Sequence, residues 1–385
     1  MPAKSVDVVV VGAGPAGFSA AIVCSRQGLR TMLCDRTSPP IDKACGEGIM
    51  PTGVSHLRAL GVELEAYEHH RFSGVRYLSA KGAVATGDFL SGYGIGMQRK
   101  DLSAALHAAA AHHKTLEMRF GQPVRLIQRQ PQGIELEVGQ SRLTARLVIG
   151  ADGLHSKVRR WAGLTRPSKG LARFGMRQHF ELCPWSNYVE VFWSKGAEAY
   201  VTPLGPRLIG VALLWDADFF KREFHQSSPR RSSPRPSIDL DFPALAEKLK
   251  GHAPIGPALA AGPMKQDVSS VIDDGLVLIG DAAGYLDALT GEGISLATAE
   301  ALSLETHVVP LLRSGQGPLC ANQLRAYAEA STTIRRPYYV LANSALLMAR
   351  YPAVARSAHA LLFHAPALFS RILQYQPKLP KTKAS

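Results

Sequence analysis

The sequence predicts an α/β fold in which a parallel-sheet domain receives an inserted, mainly antiparallel β-sheet and ends in a helical carboxy-terminal segment. Three observations predict it. The β-branched run Val8 to Val11 passes directly into Gly12-Ala13-Gly14-Pro15-Ala16-Gly17 and then an apolar helix from Phe18 to Cys24. Long strand-like runs occupy 172 to 216, and from Gly293 the pattern is helical nearly to the end.

The first junction carries the most chemistry. Glycines at 12, 14 and 17 fit GxGxxG, in which one glycine makes the tight turn, one admits a pyrophosphate close to the backbone, and one lets helix pack on strand. Free N–H groups at the start of the helix then face phosphate oxygens. A second strand, Thr31 to Cys34, ends in Asp35 and Arg36, about 20 residues beyond the turn, where a carboxylate accepts hydrogen bonds from an adenosine ribose. This is a Rossmann-like dinucleotide site.

The remaining elements follow in order. Ser38-Pro39-Pro40 opens a loop that carries Lys43, Cys45 and Gly46, and a helix from Val54 to Leu60 stops at Gly61. Residues 71 to 97 alternate short β-like runs with glycines, as an excursion into the second sheet. Arg99 and Leu102 open an alanine-rich helix to about His112. Strands near 123 to 128, 133 to 138 and 142 to 149 form a meander back to the main sheet. The last of them runs into Gly150-Ala151-Asp152-Gly153, with Ser156 and Arg159 beyond. Strands Val189 to Trp193, Ala199 to Thr202 and Leu208 to Trp215 build the second sheet. Residues 226 to 237, rich in Ser, Pro and Arg, cannot form a core and read as a surface loop. A short helix near 243 to 250 and a strand from Gly275 to Ile279 lead to Gly280-Asp281-Ala282-Ala283-Gly284. Prolines 310, 318, 337, 352 and 366 are expected to break the final helices. The expected domains are a discontinuous nucleotide domain (1–70, 98–165 and 265–310), a substrate domain (71–97 and 166–264) and a helical cap (311–385).

Composition sets bounds. With 385 residues, 46% hydrophobic and 19% charged, the chain can bury a large core. It shows no apolar run of the roughly 18 residues that span a bilayer. No signal peptide precedes the first strand, so a cytoplasmic location is expected. Five cysteines (24, 34, 45, 183 and 320) form no metal-like cluster, which predicts reduced thiols and no structural metal. The net charge of +13 is uneven. No acid follows Glu329, whereas Arg335, Arg336, Arg350, Arg356, Arg371, Lys378, Lys381 and Lys383 are all basic. That tail is either a solvated basic face or a peripheral contact with an anionic membrane at the inner face. Specific nucleic-acid binding is not expected, since neither a recognition fold nor a basic stripe interleaved with aromatics is present.

Three glycine-bearing strand-to-helix junctions, at 12 to 17, 150 to 153 and 280 to 293, fit one long cofactor. With Arg99 and Leu102 they resemble the flavoprotein family that contains p-hydroxybenzoate hydroxylase, geranylgeranyl reductase and the flavin-dependent halogenases. The resemblance implies FAD on a glutathione-reductase-type nucleotide fold. Asp281 would accept a hydrogen bond from a ribityl hydroxyl, Arg99 would sit beside the ribityl and phosphate region, and Gly291-Glu292-Gly293-Ile294 would direct N–H groups at the pyrimidine edge, which turns anionic on reduction. Asp152 is either a turn residue or, as in some members, linked to NAD(P)H use. Only one GxGxxG is present, so NAD(P)H, the expected electron donor, docks transiently, or a separate flavin reductase supplies electrons.

The resemblance leaves the reaction divided. Halogenases carry a Trp-x-Trp-x-Ile-Pro segment and a catalytic lysine, where this chain has Glu198-Ala199-Tyr200-Val201-Thr202-Pro203 and Phe72. Monooxygenases of the hydroxybenzoate hydroxylase type act through a flavin C4a-hydroperoxide and need few protein groups, and oxygen insertion into a hydrophobic phenolic or quinone-like substrate is the first expectation. The alternative is saturation of a prenyl or lipid double bond. It rests on Lys43-x-Cys45-Gly46 and Leu289-Thr290-Gly291-Glu292-Gly293-Ile294, which resemble reductase loops, although Ala288 replaces a common proline. Cys45 is either a small residue beside the flavin or a proton donor. Tyr200, His179 and Arg177, on strands of the second sheet, are candidates for orienting substrate.

Overall fold

The computed structural model describes residues 4–79, 84–168, 170, 172–227 and 234–374. Strand Lys4–Val11 lies inside an eight-stranded sheet, with Thr31–Asp35 on one side and Ser141–Gly150 on the other, both parallel to it. Leu116–Phe120 and Leu276–Leu278 extend this parallel core outwards. A strand covered on both faces needs apolar side chains in every position, and Val8, Val9 and Val10 are fully buried. The expected meander is present as Val124–Gln130 and Gly133–Val138, paired antiparallel with each other and with the first half of Ser141–Gly150.

Helix Pro15–Arg26 packs between this sheet and helices Arg99–Ala111 and Gly293–His307. Gly17 makes that approach feasible, because a Cβ there would fall 1.6 Å from the carbonyl oxygen of Gly12. Cys24 and Cys34 are buried, and all five cysteines are free.

The second sheet has seven strands in the spatial order Pro254–Ala261, Arg173–Phe180, Leu208–Asp216, Ala197–Gly205, Val189–Ser194, Gly74–Leu78 and Val84–Asp88. Its register places Tyr77 opposite Val191, Val191 opposite Tyr200, Tyr200 opposite Ala212 and Ala212 opposite Arg177. These residues therefore share one face. A three-stranded sheet of Gly48–Ile49, Gly94–Gly96 and His70–Phe72 joins the two larger ones.

Several expectations need correction. Residues 71–97 divide, with 74–78 and 84–88 entering the second sheet and the flanking strands forming the small one. Strand Pro254–Ala261 was not expected, because Pro254 and Pro257 mask it; it is an edge strand, where a missing N–H is tolerated. Pro337 breaks nothing: it stands inside the helix Arg325–Arg350. Buried Ile334, Arg335, Tyr338 and Ala342 hold both halves of that helix in place, which offsets the lost backbone hydrogen bond. Pro352 and Pro366 begin helices Pro352–His364 and Pro366–Leu373. Residues 228–233 of the Ser/Pro/Arg loop lie outside the described residues, as do Lys378, Lys381 and Lys383. Among the described residues no helix is long and apolar enough to cross a membrane.

Candidate functional site

The three strand-to-helix junctions converge on one cavity of about 1310 Å³. Cavities that hold a single drug-sized ligand span roughly 300–1,000 Å³, so this one has room for a long cofactor and a second molecule. Gly12, Gly14, Pro15, Ala16, Asp35, Arg36 and Asp152 line one end. Cys45, Gly46, Arg99, Gly280, Asp281, Gly291, Gly293 and Ile294 line its middle. The far arm is apolar, running between the second sheet and the carboxy-terminal helices past Val191, Leu214, Met264, Met348, Leu362 and Phe369.

At the first end the glycine turn is held by a carboxylate. Asp35 Oδ2 accepts from Ala13 N at 2.7 Å, and Oδ1 accepts from Thr37 N at 2.8 Å. Gly12 has φ of 107°, and a Cβ on it would meet the Ala151 oxygen at 2.4 Å, so only glycine lets the first and second junctions touch. Gly17 does not line the cavity; its part is the helix-on-strand contact. Asp152 is committed to local structure: it accepts from Lys157 N at 2.6 Å and Val158 N at 3.2 Å, capping the helix Lys157–Trp161.

In the middle, Arg99 is buried and its Nη1 has no protein partner, while Nη2 lies 3.9 Å from where a Cβ on Gly14 would stand. The backbone N of Arg99 donates to Glu47 Oε1 at 2.9 Å. Glu47 has φ of 60°, costly for a side chain with a Cβ, and a surrounding set of bonds holds it there. Its Oε2 lies 2.7 Å from His179 Nε2, its backbone oxygen accepts from Met97 N at 3.1 Å, and its backbone N donates to Cys45 Sγ at 3.3 Å. Thr202 Oγ1 donates to Gly46 O at 2.8 Å, so the second sheet grips the loop directly. Burial pushes the Cys45 thiol up, only partly countered by Arg99, so this thiol keeps its proton at neutral pH.

Two of the three proposed catalytic groups need revision. His179 does not line the cavity; it is buried against Glu47 and Arg177, on the strand that braces the 42–48 loop. Tyr200 does line it, but its hydroxyl donates to Leu289 O at 3.0 Å, and burial raises its pKa well above the ordinary value. Arg177 lines the cavity while pairing with Asp42.

The third junction is clamped from three sides. Arg159, fully buried, donates to Asp281 O, Ala282 O and Leu154 O at 3.3, 3.1 and 2.9 Å. Arg335 donates to Gly280 O at 2.7 Å and Gly284 O at 2.8 Å and forms a two-pronged pair with Glu300, whose Oε2 accepts from Gly280 N at 2.7 Å. Arg173 on the second sheet donates to Asp287 at 2.9 Å and Glu198 at 2.5 Å. Burial raises the Asp281 carboxyl, with Arg335, Lys43 and Arg99 opposing. Glu47, Glu300 and Asp287 belong to no sequence motif, and Arg335, one of the basic residues of the tail, is buried rather than on the solvated basic face. One signal was available: Glu300 is the lone charged residue within the helical run Leu296 to Leu304.

The family model described as "FAD binding domain" matches residues 5–321. The chain belongs to the FAD binding domain family. This flavoprotein is 30% identical over 309 residues to the menaquinone reductase of Mycolicibacterium smegmatis, covering 75% of this chain and 72% of that one. It is 28% identical over 311 residues to digeranylgeranylglycerophospholipid reductase 1 of Methanothermobacter thermautotrophicus, covering 75% and 73%. Among solved structures it resembles a flavoprotein/dehydrogenase from Cytophaga hutchinsonii, with a TM-score of 0.81 at 19% identity over 97% and 93% of the two chains. A flavin-dependent brominase gives 0.78 at 18% identity over 96% and 98%. Those two likenesses show the fold.

The flavoprotein is an FAD-dependent oxidoreductase, and its residues fit the cofactor. An unpartnered buried guanidinium nitrogen at Arg99 and a turn whose Gly14 leaves open space beside it are what a pyrophosphate needs. Helices Pro15–Arg26 and Gly293–His307 both start at the cavity without a side-chain cap. Asp35 stands at the ribose end, and Asp281 presents a carboxylate that no donor reaches among the described residues.

Proposed function

We propose that this flavoprotein saturates a carbon–carbon double bond in the prenyl chain of an amphiphile such as a prenylquinone or prenyl ether lipid, with NAD(P)H as the source of electrons. The observation that carries this reading is the apolar arm. It leads away from Cys45 between Val191, Leu214 and Met264 on one wall and Met348, Leu362 and Phe369 on the other, a shape and lining suited to a long hydrocarbon chain. The curated relatives named as reductases of menaquinone and of digeranylgeranylglycerophospholipid support the same reading. Oxygen insertion is the less supported reaction, because candidates for orienting its substrate are otherwise engaged: Tyr200 on Leu289 O, His179 on Glu47.

In this reading Gly12, Gly14 and Asp35 hold the adenosine and pyrophosphate, and Arg99, Asp281 and the Gly291–Ile294 turn hold the flavin end. FAD, when bound and reduced, would supply the hydride that one alkene carbon needs. The Cys45 thiol, kept protonated by burial, gives its proton to the other carbon and regains one from solvent through the open loop at Lys43. The apolar walls keep the chain extended and exclude water.

The test is anaerobic turnover of the FAD-loaded protein with NAD(P)H and a panel of prenylquinones, prenyl ether lipids and alkylphenols, read by mass spectrometry. Gain of two hydrogens on the prenyl chain is expected. Gain of one oxygen under air, with no anaerobic product, overturns the proposal in favour of monooxygenation. Cys45→Ser is expected to lower the rate of product formation more than the rate of flavin reduction.

A further inference from the structure

Helix Arg325–Arg350 and the two short helices after it carry an outward face that no part of the described chain covers. Val340 and Leu347 are 54% and 53% exposed, Leu361 and Phe363 are 56% and 50%, and Tyr351, Val354 and Leu368 are all exposed. Most of the large exposed hydrophobics among the described residues fall between Tyr339 and Leu368. A concentration of this kind marks an interaction surface rather than ordinary scatter.

Spacing organises the patch. Val340 and Leu347 are seven apart on one helix, as are Val354 and Leu361 on the next, so each pair lies on a single side of its helix. Exposed arginines flank these stripes at helical spacing: Arg336 four before Val340, Arg350 three after Leu347, and Arg371 three after Leu368. Arg356 is exposed on the middle helix. None of the four belongs to an ion pair among the described residues, and no acid follows Glu329. Arg335 is the exception in this segment, buried and spent on Glu300.

We propose that this face docks on the surface of an anionic lipid bilayer, with the arginines on the headgroups and the apolar side chains inserted among them. Charge complementarity selects the occupant, because unpaired arginines bordering bulky aliphatic and aromatic groups match an interface that is anionic outside and apolar beneath. The position of the cavity supports it: Leu361 is half exposed and also lines the apolar arm, as do Leu341 and Met348 on the neighbouring helix. The docking face is thus the rim of the arm, and a chain anchored in the bilayer would pass from membrane to cavity without crossing water. The docking rests on this face and its position at the cavity rim, and it does not depend on the reaction proposed above.

The test uses the full-length FAD-loaded protein and vesicles of phosphatidylcholine, with or without phosphatidylglycerol, followed by sedimentation. Co-sedimentation is expected with the anionic vesicles at about 0.1 M salt and its loss at about 0.5 M, where surface charges are screened. A variant with Arg336→Glu, Arg350→Glu, Arg356→Glu and Arg371→Glu is expected to bind at least about tenfold more weakly. Leu347→Asp with Phe363→Asp, neither on the cavity wall, should weaken binding while flavin absorbance and thermal midpoint stay unchanged. Failure of the native protein to sediment with anionic vesicles overturns the proposal, as does equal binding by the charge-reversed variant. Sedimentation velocity showing a dimer that the Leu347→Asp, Phe363→Asp variant abolishes, without vesicle binding, assigns the face to a second copy instead.

Discussion

Glu300 collects donors from three residues on two segments: Gly280 N at 2.7 Å, and on the helix Arg325–Arg350 both Ser331 Oγ at 2.6 Å and Arg335 through Nε and Nη2 at 2.7 and 2.8 Å. Removing one partner of a buried pair strands the other charge, which typically costs about 3–5 kcal/mol. Glu300→Ala is therefore expected to lower unfolding stability in denaturant by about that amount and to loosen FAD binding, because Gly280 loses its anchor. A loss under about 1 kcal/mol would show that the pair does not hold the junction. A second buried acid behaves differently. Glu198 shares Arg173 with Asp287, its Oε1 has no partner, and burial outweighs the guanidinium, so its carboxyl is pushed up to about 7. The folded protein then holds a proton that the unfolded chain has released, and stability falls as pH rises from the ordinary value near 4.5 to about 7. Glu198→Gln should flatten that part of the profile of thermal midpoint against pH; an unchanged slope would mean the carboxyl is already ionised throughout.

Two glycines in the same turn separate binding from folding at the level of the element. Gly14 begins helix Pro15–Arg26 with extended backbone, φ −78° and ψ −176°, and the nearest atom to a Cβ there is Arg99 Nη2 at 3.9 Å. Gly14→Val is thus accommodated by the protein itself and fills only the space in which a pyrophosphate would lie. It is expected to purify colourless with an almost unchanged thermal midpoint, and retention of full flavin would refute the site. Gly17→Ala is the contrasting case, since its methyl would lie 1.6 Å from Gly12 O and drive helix from strand. That variant should lose both flavin and stability, read together by absorbance and calorimetry.

At the scale of the whole molecule, the carboxy-terminal helices act as a wall shared by cavity and surface. Phe369 is almost completely buried, its ring is centred 4.8 Å from that of Tyr77, and it packs over Gly87, where a Cβ would come within 2.8 Å. Ser370 Oγ accepts from Asp88 N at 2.9 Å beside it. Truncating a buried phenylalanine costs about 3–5 kcal/mol through lost contacts and the space left behind. Phe369→Ala should therefore raise amide hydrogen exchange in 352–374 well above that of the parallel sheet, since local stability is set by local packing. Uniformly raised exchange across the chain would mean the cap is not a separate cooperative unit.

What the sequence determined by itself was whatever is encoded in contiguous residues. The glycine turn after Val8–Val11, the meander, the third junction at Gly280 and the family were legible there, because a tight turn or a strand buried on both faces restricts residue type locally. It also showed a basic tail, and within that tail it could not tell Arg335 from Arg336, neighbours in one helix with one buried and one exposed. Tertiary structure decided such cases. Glu47 and His179, far apart in the chain, are adjacent only because the strand Arg173–Phe180 backs the 42–48 loop, and Pro337 sits within a helix because packing on both sides exceeds one missing hydrogen bond. The same reason removed His179 from the cavity and turned Tyr200 onto Leu289: alternation along a strand gives a side chain its face, but the partner met on that face belongs to another part of the chain.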